Sequence, residues 1–90
     1  MLQTISILVK GKVQGVYYRQ STREKALLLG IAGTVCNLPD HSVQIMATGE
    51  KEQLDKLRDW CRQGPSRAVV TSVEWQEEAL EFFVNFKVLR

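Results

Sequence analysis

The chain has 90 residues, 44% of them hydrophobic, and this length predicts a single domain spanning residues 1–90. Its 12 basic and 10 acidic residues leave a formal net charge of +2, which is too small to favour nucleic acid as a partner. Because the sequence has no apolar run of about 18 residues and no basic leader before its first apolar stretch, we expect a cytoplasmic protein that does not interact with membranes.

The first half of the chain shows one strand pattern on each side of a helix pattern. Apolar and polar residues alternate over residues 4–10, which is typical of a strand. Residues 11–15 form a loop between two glycines, and a helix is predicted over Tyr18–Leu29 because Gly30 follows its last apolar position. A second strand is predicted over residues 31–37.

The second half repeats this order after a turn at residues 38–42. Alternation predicts a third strand over residues 43–48, and an apolar stripe predicts a second helix over residues 51–63, ended by a Gly-Pro pair. Two further strands are predicted over residues 68–75 and 82–88. Four aromatic residues lie on the inward faces of these predicted strands and of the second helix, so we expect them in the core: Trp60, Trp75, Phe82 and Phe86.

The order β-α-β-β-α-β plus one extra strand predicts a ferredoxin-like α+β fold, an antiparallel sheet with both helices on one face. Right-handed crossovers make the first and second strands run in the same direction, with the third strand between them. Their C-terminal ends therefore meet at one edge of the sheet. This edge carries the loop at residues 11–19 together with Asn37.

The loop at residues 11–19 reads GKVQGVYYR and leads from a strand into a helix N-terminus. Such a junction offers unpaired backbone N–H groups and the positive end of a helix dipole, and glycines allow these groups to converge on an anion. Arg19 adds a guanidinium that matches phosphate oxygens, in a first helical turn where a cation is unfavourable without an anion. The spacing alone leaves two interpretations open: a phosphate site, or a glycine-closed loop with a solvated arginine.

Asn37 is the first strongly polar residue at the end of the second predicted strand. One interpretation makes it an ordinary turn residue. The other places its amide beside Arg19, where it would orient a water molecule, although an amide is no general base near neutral pH. The two cysteines and the single histidine supply only three soft ligands, so we expect free thiols and no metal site.

Three segments together resemble the acylphosphatase family. Residues 11–19 resemble its signature GxVQGVxFR, residues 33–43 (GTVCNLPDHSV) resemble its second motif, and residues 64–75 (GPSRAVVTSVEW) resemble its GP-rich segment. The resemblance implies hydrolysis of acyl phosphates to a carboxylate and inorganic phosphate, by a monomer, without metal or cofactor. It assigns the positioning of the attacking water to Asn37. It assigns phosphoryl binding to the Arg19 side chain and to five loop amides: Gly15, Val16, Tyr17, Tyr18 and Arg19.

This sequence departs from the family pattern at several positions. Thr34 replaces an aromatic residue, Cys36 a common basic residue, Tyr17 a frequent glycine, and His41 a turn glycine. If the turn requires a positive φ at His41, histidine tolerates it better than most residues other than glycine.

Two other functions are alternatives to hydrolysis. A non-hydrolytic module that binds acyl or carbamoyl phosphate would use the same loop and Arg19. An RNA-recognition module is disfavoured because the first and third predicted strands lack aromatic residues that could stack on bases.

Overall fold

The computed structural model describes residues 1–89 and has a five-stranded sheet with two helices. The elements are β1 (Leu2–Lys12), α1 (Tyr18–Leu29), β2 (Ala32–Asn37), β3 (Val43–Glu50), α2 (Lys51–Cys61), β4 (Val69–Glu78) and β5 (Phe86–Val88). The strand order is β4-β1-β3-β2-β5. The first three neighbouring pairs are antiparallel and β5 pairs parallel to β2, so the sheet is mixed. The predicted ferredoxin-like fold is confirmed, including β3 between β1 and β2, and the predicted antiparallel pairing holds for every strand except the added strand β5.

The core lies between the sheet and the helices. Alternate residues of β1 and β3 are almost completely buried on the helix side: Ile5, Ile7, Val9, Val43, Ile45 and Ala47. The helix α2 packs Leu54, Leu57 and Cys61 against them, and α1 contributes Tyr18, Thr22 and Ala26. Burying each large aliphatic side chain contributes about 1.5–3 kcal/mol. The strand and helix periodicities of the sequence therefore meet in one shared core.

The two helices begin differently. At the start of α2, the Gln53 side chain accepts the Glu50 backbone N–H at 2.8 Å, and Glu52 places a carboxylate in the first turn. The start of α1 has no side-chain cap and no acidic residue in its first turn. The N-terminus of α1 thus keeps both its dipole and its unpaired N–H groups available.

Neither helix within residues 1–89 is long and apolar enough to span a bilayer.

The predicted fifth strand is wrong over its first half. Residues 79–85 form no strand, because the chain must travel from β4 at one sheet edge to β5 at the other. On the way it crosses the face without helices, where Thr48 Oγ1 donates to the Glu81 carbonyl oxygen at 2.6 Å and the Glu81 N–H donates to Thr4 Oγ1 at 2.9 Å. The alternation of apolar residues in this crossing segment therefore does not mark a strand.

Two of the four predicted core aromatic residues are not in the core. Phe82 lies in the crossing segment and is 72% exposed. Trp75 lies on the edge strand β4, 45% exposed, with the Arg58 guanidinium carbon 4.1 Å from its ring centroid. Phe86 is buried as predicted, and Trp60 packs at the margin of the core. Periodicity identifies the face of a strand, whereas exposure depends on how far the strand lies from the middle of the sheet.

Candidate active site

The loop between β1 and α1 presents a series of unpaired backbone donors. Gly15 has φ 73° and Tyr17 has φ 70°, and the right-handed helix follows at Tyr18. A left-handed residue followed by a right-handed one turns successive N–H groups toward a common point. Within residues 1–89, the N–H groups of residues 15–20 have no protein acceptor. The loop is therefore built to accept an anion.

Arg19 lies in the first turn of α1 and is half-buried. Its Nη1 donates to the Leu89 carbonyl oxygen at 2.8 Å, which ties the side chain to the chain segment after β5. No acidic side chain among residues 1–89 forms an ion pair with it. A guanidinium has five N–H donors, so one backbone contact orients it and leaves donors for an anion.

A cleft of about 350 Å³ opens beside this loop. Its lining consists of Val13, Gln14, Gly15, Tyr17, Tyr18, Arg19, Gln20 and Val88. The structure thus brings together four of the five residues named for phosphate binding. Val16 does not line the cleft, because its side chain is buried in the core. Asn37 does not line it either.

Asn37 ends β2 and pairs with Val43 of β3. It has the same strand parity as Val35, so its side chain lies on the helix side of the sheet, toward the start of α1. Its Oδ1 is buried and has no hydrogen-bond donor among the described residues. A buried amide oxygen without a donor costs about 1–3 kcal/mol, which a bound water would recover. The Asn37 side chain therefore has the unused acceptor that a water-positioning group needs.

The turn after Asn37 is fixed by its own hydrogen bonds. The Leu38 N–H donates to the Ser42 carbonyl oxygen at 2.9 Å, and the Ser42 N–H donates to Asp40 Oδ1 at 3.1 Å. The Ser42 hydroxyl also donates to Asp40, and these bonds lower the pKa of the Asp40 carboxyl. His41 has φ 73°, so the position does require the left-handed conformation. The turn therefore holds one conformation despite the missing glycine.

Gln14 connects the loop to this turn, a role that the sequence pattern does not predict. Its Nε2 donates to the Leu38 carbonyl oxygen at 3.0 Å and to the Ser42 carbonyl oxygen at 2.9 Å. Its place in the loop motif GKVQGVYYR marks the residue but does not identify its backbone partners. Through these two bonds, the loop with Arg19 and the turn with Asn37 are held as one unit.

Tyr18 anchors the start of α1 to the end of α2. Its ring centroid is 5.5 Å from that of Trp60, and its hydroxyl donates to the Cys61 carbonyl oxygen at 2.7 Å. Burial raises the pKa of the Tyr18 hydroxyl, so it remains a donor. Burial also raises the pKa of the Cys61 thiol to about 12, and this thiol is therefore no nucleophile. Tyr18 serves to fix the helix that carries Arg19.

Metal chemistry would need a cluster of ligands. Within residues 1–89, no three His, Cys, Asp or Glu side chains lie close enough together to hold a metal ion. The polar groups at the cleft are backbone N–H groups, a guanidinium and side-chain amides. Such groups bind anions and orient water, and they supply no general base near neutral pH.

Comparison with known proteins agrees with this geometry. Residues 5–88 match the acylphosphatase family. The chain is 51% identical to an acylphosphatase of Acaryochloris marina over 96% of its own length and 92% of that protein, and 55% identical to one of Marinobacter nauticus over 90% and 89%. Its fold matches an acylphosphatase structure from Coxiella burnetii with a TM-score of 0.95 and 39% identity, covering 98% of this chain and 93% of that one. These relatives confirm the predicted hydrolase and favour it over a non-hydrolytic binding module. The chain belongs to the acylphosphatase family.

Proposed function

We propose that the chain hydrolyses acyl phosphates with their phosphoryl group bound in the loop at residues 15–19. The observation that carries this assignment is the set of N–H groups without protein acceptors at the start of α1, next to a guanidinium without a carboxylate partner among residues 1–89. A phosphoryl group would accept from the amides of Gly15, Val16, Tyr17, Tyr18 and Arg19. The Arg19 side chain adds charge-assisted hydrogen bonds from the first helical turn.

The reaction suits a site without an acid or a metal. Cleavage of the carboxyl–phosphate bond releases a carboxylate whose acid has a pKa of about 4–5, so no proton need be delivered to the leaving group. The transition state is loose, and its charge is spread over the phosphoryl oxygens. Fixed N–H dipoles and the Arg19 guanidinium stabilise this charge without reorganisation. Positioning and electrostatics therefore account for catalysis.

Asn37 positions the attacking water in this proposal. Its buried Oδ1 would accept a hydrogen from the water and direct an oxygen lone pair at phosphorus. An amide cannot remove the proton at neutral pH, so the proton passes to a phosphoryl oxygen of the substrate. Water attacks, the P–O bond to the acyl group breaks, and the products are a carboxylate and inorganic phosphate.

Phosphate release from acetyl phosphate tests the activity. We expect release to be unchanged by a chelator of divalent cations and to be much slower with a phosphate monoester, which must expel an alkoxide. Activity that chelation abolishes, or a preference for the monoester, would contradict the proposal. The control is Arg19→Ala, which keeps the loop amides and removes the guanidinium.

We further propose that the active form is a monomer, a single cytoplasmic domain over residues 1–90 that works without a cofactor and does not bind nucleic acid. The small net charge supports this, and so does the fact that the loop donors, Arg19 and Asn37 all belong to one chain. Sedimentation at increasing protein concentration, with activity measured at each concentration, checks the monomer. Activity that grows with association would refute it.

A further inference from the structure

We propose that Gln14 is a positioning residue for hydrolysis and that it acts by holding Asn37 in register with the phosphate loop. The inference rests on the proposed function, because it gives Gln14 a role in the same site. Its basis is a single side-chain amide that joins the loop to the turn after Asn37 at two points.

The two acceptors lie at the two ends of the turn. Leu38 directly follows Asn37, and Ser42 directly precedes Val43, the residue that pairs with Asn37 in the sheet. The Gln14 Nε2 group has two N–H donors and donates one to each carbonyl oxygen, at 3.0 Å and 2.9 Å. The side chain therefore holds both ends of the turn, whereas the backbone bond from Leu38 to Ser42 only closes it.

The loop end of this connection is also fixed. Gln14 is half-buried between Val13, which is 1% exposed, and Gly15, which begins the run of converging N–H groups. A displacement of the turn relative to the loop would break at least one Gln14 bond. Among residues 1–89, no hydrogen bond holds the Oδ1 of Asn37 in place. The distance between bound phosphorus and the attacking water thus depends on Gln14.

The decisive variant is Gln14→Glu, which keeps the shape of the side chain. At neutral pH a carboxylate has no donor and faces two carbonyl oxygens, so the connection is lost. We expect turnover to fall about 10- to 100-fold while phosphate affinity changes less than about twofold. When the carboxyl is protonated at lower pH, it regains one donor. The deficit relative to the native chain should therefore shrink as the pH falls.

Gln14→Met is the matched control because it has similar length and never titrates. We expect the same loss of turnover at every pH. A constant ratio of Gln14→Glu to native turnover across the pH range would overturn the proposal, and so would phosphate affinity that falls as much as turnover.

A double-mutant cycle separates a positioning role from a general structural one. If Gln14 acts through Asn37, then Gln14→Met should lower turnover little or not at all in an Asn37→Ala background. If the two losses of turnover multiply in the double variant, Gln14 acts elsewhere. If Gln14→Met does not fold, the shorter Gln14→Asn replaces it in the cycle.

A readout without turnover keeps this proposal distinct from the proposed function. The side-chain amide resonance of Asn37 should shift in Gln14→Met, while the backbone amide resonances of residues 15–19 still respond to inorganic phosphate as in the native chain. An unmoved Asn37 resonance would reject the role of Gln14 even if hydrolysis is confirmed. Absence of hydrolysis by the native chain would reject the proposed function instead.

Discussion

The hydroxyl of Tyr18 donates to the carbonyl oxygen of Cys61 at 2.7 Å, and this bond joins the first residue of α1 to the last residue of α2. A carbonyl in the last turn of a helix has no partner within the helix, so Tyr18 satisfies a group that would otherwise be buried without a donor. The family signature has phenylalanine at this position, so the tyrosine adds one bond to the same aromatic packing.

Removing this bond should destabilise the fold. We expect Tyr18→Phe to lower the free energy of unfolding by about 1–3 kcal/mol, because the Cys61 carbonyl loses its donor. Tyr17→Phe is the matched control, since the Tyr17 side chain is 75% exposed. Urea unfolding of the three chains at neutral pH provides the comparison. Equal stability of the two variants would contradict the role of the Tyr18 bond.

Alkaline pH should destabilise the protein through the same pair of residues. Burial raises the pKa of the Cys61 thiol from 9.0 to about 12 and also raises that of the Tyr18 hydroxyl. The unfolded chain therefore binds fewer protons than the fold at pH values above 9. The contribution of Cys61 is complete below about pH 9 and that of Tyr18 below about pH 10. Above these values each group costs about 1.4 kcal/mol per pH unit until it ionises in the fold.

Unfolding measured between about pH 8 and 11 tests this slope. Tyr18→Phe and Cys61→Ala should each make the loss of stability with pH shallower. Cys36→Ala removes a half-buried thiol and serves as the control. An unchanged slope in both Tyr18→Phe and Cys61→Ala would exclude these groups as its source.

His41→Gly should stabilise the turn after Asn37. His41 has φ 73°, and the left-handed conformation costs about 1–2 kcal/mol in a residue with a Cβ. Glycine removes this strain but loses more entropy on folding, so the net gain should be about 0.5–1 kcal/mol. Thermal unfolding of the two chains measures it. A lower melting temperature for His41→Gly would mean that the side chain stabilises the turn.

Arg19→Ala and Asn37→Ala should have different effects. Loss of Arg19 removes a contact to phosphate in both the ground state and the transition state, so phosphate affinity and turnover should both fall. Loss of Asn37 removes only the orientation of water, so turnover should fall about 10²-fold while phosphate still binds. Titration calorimetry measures the phosphate affinity of the two variants, and initial rates measure their turnover. Near-native turnover of Asn37→Ala would return Asn37 to the role of a turn residue.

Inorganic phosphate should stabilise the native fold. At about 100 times its dissociation constant, a ligand that binds only the folded state adds about 2.7 kcal/mol. Melting temperatures in phosphate and in chloride at equal ionic strength measure this difference. The difference should shrink in Arg19→Ala. A melting temperature that is the same in both salts would rule out a phosphate site in this loop.

The sequence predicts those parts of the fold that local periodicity determines. The boundaries of α1 agree with prediction because Gly30, at φ 75°, ends the helix as its position in the pattern indicates. Phe82 and Trp75 were misplaced because exposure depends on sheet order and on the path between the two edges. That path follows from bonds between Glu81 and two threonines that are distant in sequence.

The same distinction applies to the site. The loop at residues 11–19 and the exit of β2 could be placed at one edge from topology alone. The positive φ of His41 could be stated only as a condition, because the family pattern has a turn glycine at that position. The bonds from Gln14 to Leu38 and Ser42 could not be predicted. They join residues 24 and 28 positions apart, and their acceptors are backbone carbonyl groups, which every residue has. A pattern of side chains carries no signal for a contact with the backbone.

The uncapped start of α1 creates a conflict between stability and activity in this chain. A residue that caps the helix there, or an acidic residue in its first turn, would normally stabilise a protein by about 0.5–2 kcal/mol. Here such a change would occupy the N–H groups of residues 15–20 or repel the anion that we propose they bind. Directed evolution for heat resistance alone should therefore accumulate capping substitutions at this helix and yield well-folded, inactive proteins. Selection for turnover should keep these positions free of acidic side chains.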